Sequence, residues 1–189
     1  MDITNWLSNL NTITTSYPGC SSCNVHLGFS NAYKDVAPLV RNLVQRLLSQ
    51  FRDAKLIITG HSLGGALAVF CALDLKELYG NVDVLYTLGQ PRVGNQNFAN
   101  YLDAQFPNYY RIVHNTDPVP HVPQSILGFK HGGHEIWYTP RGMTTYKTCV
   151  NSEDKSCSNS VSLFSMDTGD HSLADYYMKI PVTNLQKER

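Results

Sequence analysis

Charge is scarce in this chain of 189 residues: Asp, Glu, Lys and Arg make up 16% of it, and the two signs cancel at fifteen each. With no net field to concentrate a polyanion, neither nucleic acid nor an anionic membrane is expected as a partner. Long apolar runs are lacking as well. No stretch approaches the roughly 18 residues of a spanning helix, so no transmembrane anchoring is expected, and the first residues do not follow the basic-then-apolar layout of a secretory leader. No internal repeat or linker interrupts the chain. A hydrophobic content of 42% is enough for a sizeable core, so a single globular domain over residues 1–189 is expected.

Cysteines number only five, and four of them, Cys20 with Cys23 and Cys149 with Cys157, fall as close pairs in polar loop sequence. Two local disulfides are the expected state, which places the protein outside the cytosol, in an extracellular, secretory or lysosomal compartment. A zinc half-site or a redox dithiol at Cys20-Ser21-Ser22-Cys23 would need a second pair or a following helix, and neither is there. Cys71, set among apolar residues, reads as a small core residue.

What the chain does have is one organising stretch, Leu56-Ile57-Ile58-Thr59-Gly60-His61-Ser62-Leu63-Gly64-Gly65. It reads as an apolar strand, a tight corner around one serine and the start of a helix, which is the layout of a nucleophile elbow. Glycines two residues before and after Ser62 let the backbone fold back beneath an exposed hydroxyl. Taken alone, G-x-S-x-G is a common chance match in turns. Here β-branched and apolar residues precede it, and Ala66, Leu67, Ala68, Val69, Phe70, Ala72 and Leu73 follow as a buried helix. The free N–H groups at that helix start favour negative charge, so the Leu63 N–H is a candidate oxyanion donor.

The rest of the chain alternates in the manner of an α/β protein. Ile3, Trp6, Leu7 and Leu10 keep helical spacing in a short amphipathic segment over about residues 2–10, either docked permanently or able to open. Val36 to Phe51 predicts a long amphipathic helix packed on the sheet, with a bend expected near Pro38. Val82 to Leu88 and Tyr109 to His114 predict strands, Gln96 to Gln105 a short helix, and His134 to Thr139 a further strand. A mostly parallel sheet flanked by helices follows from this alternation. Val119, Pro120, Val122, Pro123, Ile126, Leu127 and Phe129 form an apolar, proline-stiffened loop suited to lining a cleft for acyl chains, or to plain core cover. The tail at 181–189 is expected to be disordered.

A serine hydroxyl needs a base to take its proton, and that base needs a carboxylate to hold its tautomer. Asp117, in the loop after a strand, and His171, later still, supply the two in the order serine, acid, histidine. Asp170 adjoins His171, but neighbouring side chains diverge, so Asp117 is the expected partner. His131 and His134 form an H-x-x-H without an acidic or cysteine companion and are read as structural or solvated rather than as a metal site. No cofactor is called for.

These motifs, in this order, resemble the fungal-type, class 3 triacylglycerol lipases. Asn5-Trp6-Leu7-Ser8-Asn9-Leu10 is similar to the family's lid helix, and Val25-His26-Leu27-Gly28-Phe29, Gly60 to Gly65, Gly89-Gln90-Pro91-Arg92-Val93-Gly94 and His114 to Pro120 are similar to its other signatures. The resemblance implies an α/β-hydrolase-like fold, a lipid ester substrate met at a lipid–water interface, Asp117 as triad acid and Asp170-His171 as the segment bearing the base. It also implies that the Cys149 and Cys157 pair is a family disulfide. In the family, a strand before the lid supplies a second oxyanion donor, and the chain is expected to lack that strand. On this reading the chain is a serine ester hydrolase, most simply a triacylglycerol lipase. A phospholipase or feruloyl-type esterase on the same scaffold, and a catalytically silent lipid-binding module, are the alternatives.

Overall fold

Short runs of Val, Ile, Leu and aromatic residues, separated by turn residues, become strands, and the longer runs with helical spacing become helices. In the computed structural model, which describes residues 3–139 and 145–177, the order is α1 (Ile3–Asn9), β1 (Thr14–Ser16), β2 (Asn24–His26), α2 (Leu27–Gln50), β3 (Ile57–His61), α3 (Leu63–Tyr79) and β4 (Val84–Leu88). There follow β5 (Gly94–Asn95), α4 (Gln96–Gln105), β6 (Tyr109–His114), β7 (Phe129–Lys130), β8 (His134–Tyr138), β9 (Tyr146–Thr148) and α5 (Leu173–Tyr177).

The larger sheet runs β3-β4-β6-β8-β9, with the first four strands parallel and β9 antiparallel. Gly60 lies opposite Thr87, and Leu88 opposite Ile112, so the carboxyl ends of β3, β4 and β6 open on one edge. Ligands bind outside that edge in parallel α/β sheets. A small antiparallel sheet, β1-β2-β5-β7, was not foreseen because its strands are only two or three residues long. The main core joins Val25, Phe29, Phe70, Leu75, Leu85, Phe98 and Tyr109, while Val113 and Trp137 pack with the buried Cys149 and Cys157. Both expected disulfides, Cys20–Cys23 and Cys149–Cys157, are formed; Cys71 is free and half-buried against the main core. No helix of the described residues is long and apolar enough to cross a membrane. The tail at 181–189 lies outside them.

The helix expected from Val36 starts nine residues earlier, at Leu27, and runs unbroken through Pro38 to Gln50. The His26 ring explains the early start: its Nδ1 accepts the Phe29 N–H at 3.3 Å, and its Nε2 donates to the Asn11 carbonyl at 2.6 Å. The packing of α2 is also not the one expected. It lies against α3, burying Phe29, Tyr33 and Ala37, with Val40 and Val44 half-covered. Its other apolar stripe, Val36, Leu39, Leu43 and Leu47, stays in solvent, with Leu39 63% exposed. Among the described residues β3 forms one edge of the larger sheet, and its Ile57 is 64% exposed. An open strand edge and a stripe of bare leucines are each a surface for further association. The chain of 189 residues is therefore expected to self-associate. Leu43→Lys with Ile57→Lys should raise the monomer fraction severalfold in size-exclusion chromatography with light scattering, and an unchanged profile would refute this account.

Candidate active site

The corner between β3 and α3 is drawn tight by backbone alone. A Cβ placed on Gly60 would sit 2.2 Å from the Gly64 carbonyl oxygen, so only glycine lets the strand and helix cross there. Ser62 pays for the turn, with φ 57° and ψ −129°, a conformation costing on the order of 1–3 kcal/mol for a residue with a side chain. Its N–H donates to the Leu88 carbonyl at 2.9 Å, pinning the corner to β4. Leu63 opens α3, and the first amides of a helix have no carbonyl partner within it.

The loop after β6 brings up the carboxylate. Asp117 is fully buried. Its Oδ1 accepts the Val119 N–H at 2.8 Å, and its Oδ2 accepts both His171 Nδ1–H at 2.8 Å and the Tyr176 hydroxyl at 2.6 Å. The carboxylate sets the imidazole tautomer: the proton is on Nδ1, so Nε2 is left as a bare acceptor. That nitrogen is buried and has no hydrogen-bond partner among the described residues. Asp170 faces elsewhere, accepting from Asn115 Nδ2 at 2.7 Å, Thr116 N–H at 3.0 Å and Thr116 Oγ1–H at 2.6 Å. Burial opposes ionisation of Asp170, but the bonds from Thr116 and Asn115 outweigh it and hold the carboxyl below its ordinary range.

Ser62, Leu63 and His171 meet at a cavity of about 490 Å³, which Ile3, Trp6, His61, Gly64, Thr168, Gly169 and Ser172 also line. No side chain of that lining is a carboxylate, a lysine or an arginine. Ile3 and Trp6 come from α1, which has no fully buried residue and leans its Trp6 ring on Phe29 at 6.4 Å between centroids. Of the apolar loop expected to line an acyl cleft, no residue belongs to this lining. Val119, Pro120 and Phe129 are buried instead, and Ile126 and Leu127 point to solvent. The two H-x-x-H histidines part company as well: His131 is buried, its Nε2 donating to the Pro120 carbonyl at 2.7 Å, while His134 is exposed. Glu135 approaches Cys149 and Cys157, but those sulfurs are joined to each other and cannot act as thiolate ligands.

Two residues of the site carried no signal in the motif. Tyr176 reaches Asp117 from α5 while its oxygen accepts the His114 N–H at 3.1 Å. Burial, then the adjacent Asp117, push its phenol well above the ordinary range, so it stays a donor. Gly89, just past β4 with φ +55°, lies where a Cβ would come within 2.9 Å of Asp117 Oδ2 and 3.0 Å of the His171 ring. Its place at the head of the Gly89-Gln90-Pro91-Arg92-Val93-Gly94 signature was the available clue, though no role had been read for it. Gly89→Ala should displace the pair and cut turnover of a soluble ester about 100-fold, the cost of roughly 1 Å of misplacement. Steady-state kinetics on folded variant, with circular dichroism as control, provide the check.

The model of the class 3 lipase family matches residues 1–126. A lipase of Rhizomucor miehei is 42% identical over 167 residues, 84% of this chain and 45% of its own length. A secreted mono- and diacylglycerol lipase of Fusarium solani is 37% identical over 72% of this chain and 41% of its own length. The chain thus spans less than half the length of these relatives. Among solved structures, lipase II of Rhizopus niveus superposes with a TM-score of 0.84 at 34% identity, covering 90% of this chain and 65% of that one. Another, of a triacylglycerol lipase whose catalytic centre is a serine protease triad, gives 0.81 at 40% identity over 89% of this chain and 65% of that one. With its α/β-hydrolase architecture and this breadth of identity, the chain belongs to the class 3 lipase family.

Proposed function

We propose that the chain carries the catalytic centre of a serine carboxylic ester hydrolase, a triacylglycerol lipase working at lipid–water interfaces. The observation that carries this reading is the bare, buried Nε2 of His171, whose Nδ1 is held by Asp117 beside the cavity that Ser62 lines. His171 takes the proton from the Ser62 hydroxyl as Oγ bonds to the ester carbonyl carbon. The oxyanion of the tetrahedral intermediate is met by the Leu63 N–H. Collapse breaks the bond to the alcohol, which leaves with the proton from His171, and water repeats the sequence on the acyl-enzyme to release the acid. Asp117 orients His171 and stabilises its charged form, with Tyr176 steadying the carboxylate. No step calls for a cofactor or metal.

Long-chain lipid is favoured over a soluble aryl ester by the apolar, uncharged lining and by what surrounds it. The α1 segment acts as a lid over Ser62, and no Asp, Glu, Lys or Arg occurs between Asp2 and Lys34 or between Lys155 and Asp167. In the second of these stretches Leu163 and Phe164 stand in solvent, just ahead of cavity-lining Thr168 and Gly169. Triacylglycerol is the first substrate to test; the Fusarium relative, a mono- and diacylglycerol lipase, makes partial glycerides the second. The two disulfides and the secreted relative support an extracellular or secretory setting.

A fluorophosphonate should label Ser62 covalently; no labelling would favour the silent lipid-binding module. Ser62→Ala, Asp117→Ala and His171→Ala should each remove nearly all activity, since such residues act as a unit. Asp170→Ala should loosen the acid loop and lower thermal stability while costing far less in rate than Asp117→Ala, and equal rate losses would reverse the assignment of the acid. Trp6 fluorescence should shift when a triacylglycerol emulsion is added, because moving the lid transfers the indole from the cavity to lipid. An unchanged spectrum would count against a moving lid.

A further inference from the structure

We propose that His61 is a positioning residue for the reaction, a clamp that ties the nucleophile's own strand to the main chain of the base. The inference rests on the Ser62, Asp117 and His171 reading above. His61 is the last residue of β3 and the peptide neighbour of Ser62. Its Nε2 donates to the backbone carbonyl of His171 at 3.0 Å, across 110 residues of sequence. Its ring stacks on the His171 ring at 4.5 Å between centroids and meets the Tyr176 ring edge-on at 5.4 Å.

The need for such a clamp follows from how His171 is held. Asp117 fixes one ring nitrogen, which sets tautomer and ring direction but leaves the main chain free to carry the ring towards or away from Ser62. That main chain is a single 3₁₀ turn, Thr168–His171, whose Thr168, Gly169 and following Ser172 are exposed. A short exposed turn keeps its position only through the few bonds that reach it. Asp167 and Asp170 tie it to the acid loop, through the Asp167 N–H to the Thr116 carbonyl at 3.2 Å and the Asp170 carboxylate to Asn115 and Thr116. Among the described residues, the bond from His61 is the one that ties it to the elbow. The His114 ring adds a bond from β6, its Nδ1 donating to the Asp170 carbonyl at 3.1 Å, so the turn is held to the acid loop and β6 on one side and, through His61, to the elbow on the other. Burial, and then the neighbouring His171, lower the His61 pKa, so a neutral ring faces the imidazolium that forms during catalysis.

The test separates the donor from the bulk of the ring. His61→Leu keeps an apolar side chain and loses the donor; His61→Gln places an amide N–H within reach of the same carbonyl. On soluble p-nitrophenyl butyrate, His61→Leu should lower kcat about tenfold or more with KM within about twofold, and His61→Gln should recover kcat to within about threefold of the parent. If the leucine variant does not fold, His61→Asn, whose amide stops short of the carbonyl, takes its place against His61→Gln. Parental kcat in the donor-less variant overturns the clamp, as does equal impairment of the donor-less and glutamine variants, since bulk rather than the bond would then matter. These results are distinct from failure of the parent protein to react with a fluorophosphonate, which would overturn the triad reading and the clamp with it.

Discussion

A carboxylate with no access to water needs compensating hydrogen bonds, and Asp117 is the group on which the proposed catalytic end of the molecule depends. Moving a lone ion of this size into a protein interior costs several kcal/mol even after relaxation. Asp117 recovers this from three donors, the Val119 amide in its own loop, the His171 imidazole and the Tyr176 hydroxyl. Two of these lie more than fifty residues further along the chain. The carboxylate therefore folds the C-terminal part of the described chain back onto the sheet as well as orienting the His171 ring. Supports reach it from behind too. The Trp137 indole N–H donates to the Asn115 carbonyl at 2.9 Å, and Trp137 packs against the Cys149–Cys157 disulfide. The disulfide so lies one side chain removed from the acid loop.

Ser62, the proposed nucleophile, is held on a different principle. Ser62 depends on backbone strain made possible by the absence of a side chain at Gly60, and α3 and β4 keep that strain in place. A site assembled from a strained corner and a hydrogen-bonded loop has a weak point where the two meet. Nothing in the described residues closes a hydrogen bond between the serine and His171 Nε2, so their relative position is left to the frames on either side. Apo geometry of this looseness is common in hydrolases and tightens when substrate arrives. It also makes the bonds that refer one frame to the other worth more than their individual strength.

The elbow, the parallel strands and the gathering of Ser62, Asp117 and His171, the proposed triad, were legible because each is encoded locally, in a run of β-branched residues, a glycine spacing or a polar break after a strand. The choice of Asp117 over Asp170 needed only the rule that adjacent side chains diverge, and the geometry has Asp170 bonded to Asn115 and Thr116. Other features were hidden for physical reasons. Tyr176 is one tyrosine among eleven, and nothing in its own segment announces a buried carboxylate as its partner. The loop at 119–129 has the composition of a cleft, but Val119, Pro120 and Phe129 found burial elsewhere, an outcome decided by tertiary packing. Helix α2 misled in a third way. Periodicity tells that Leu39, Leu43 and Leu47 share a face, and tells nothing about whether any surface meets it.

The same distinction governs α1. Seven residues make too short a helix to persist on backbone bonds alone, and none of its side chains is fully buried. Its place over the cavity is therefore set by what apolar surface lies within reach of Ile3 and Trp6. In water that surface is the cavity wall and the ring of Phe29. Against lipid, the same side chains gain on the order of 25 cal/mol per Å² from the interface instead, and with no charge from Ile3 to Tyr33 no ion has to be desolvated for the exchange. Opening the site in the proposed lipase then needs no separate trigger, because the surface that draws the helix away is the surface that carries the substrate.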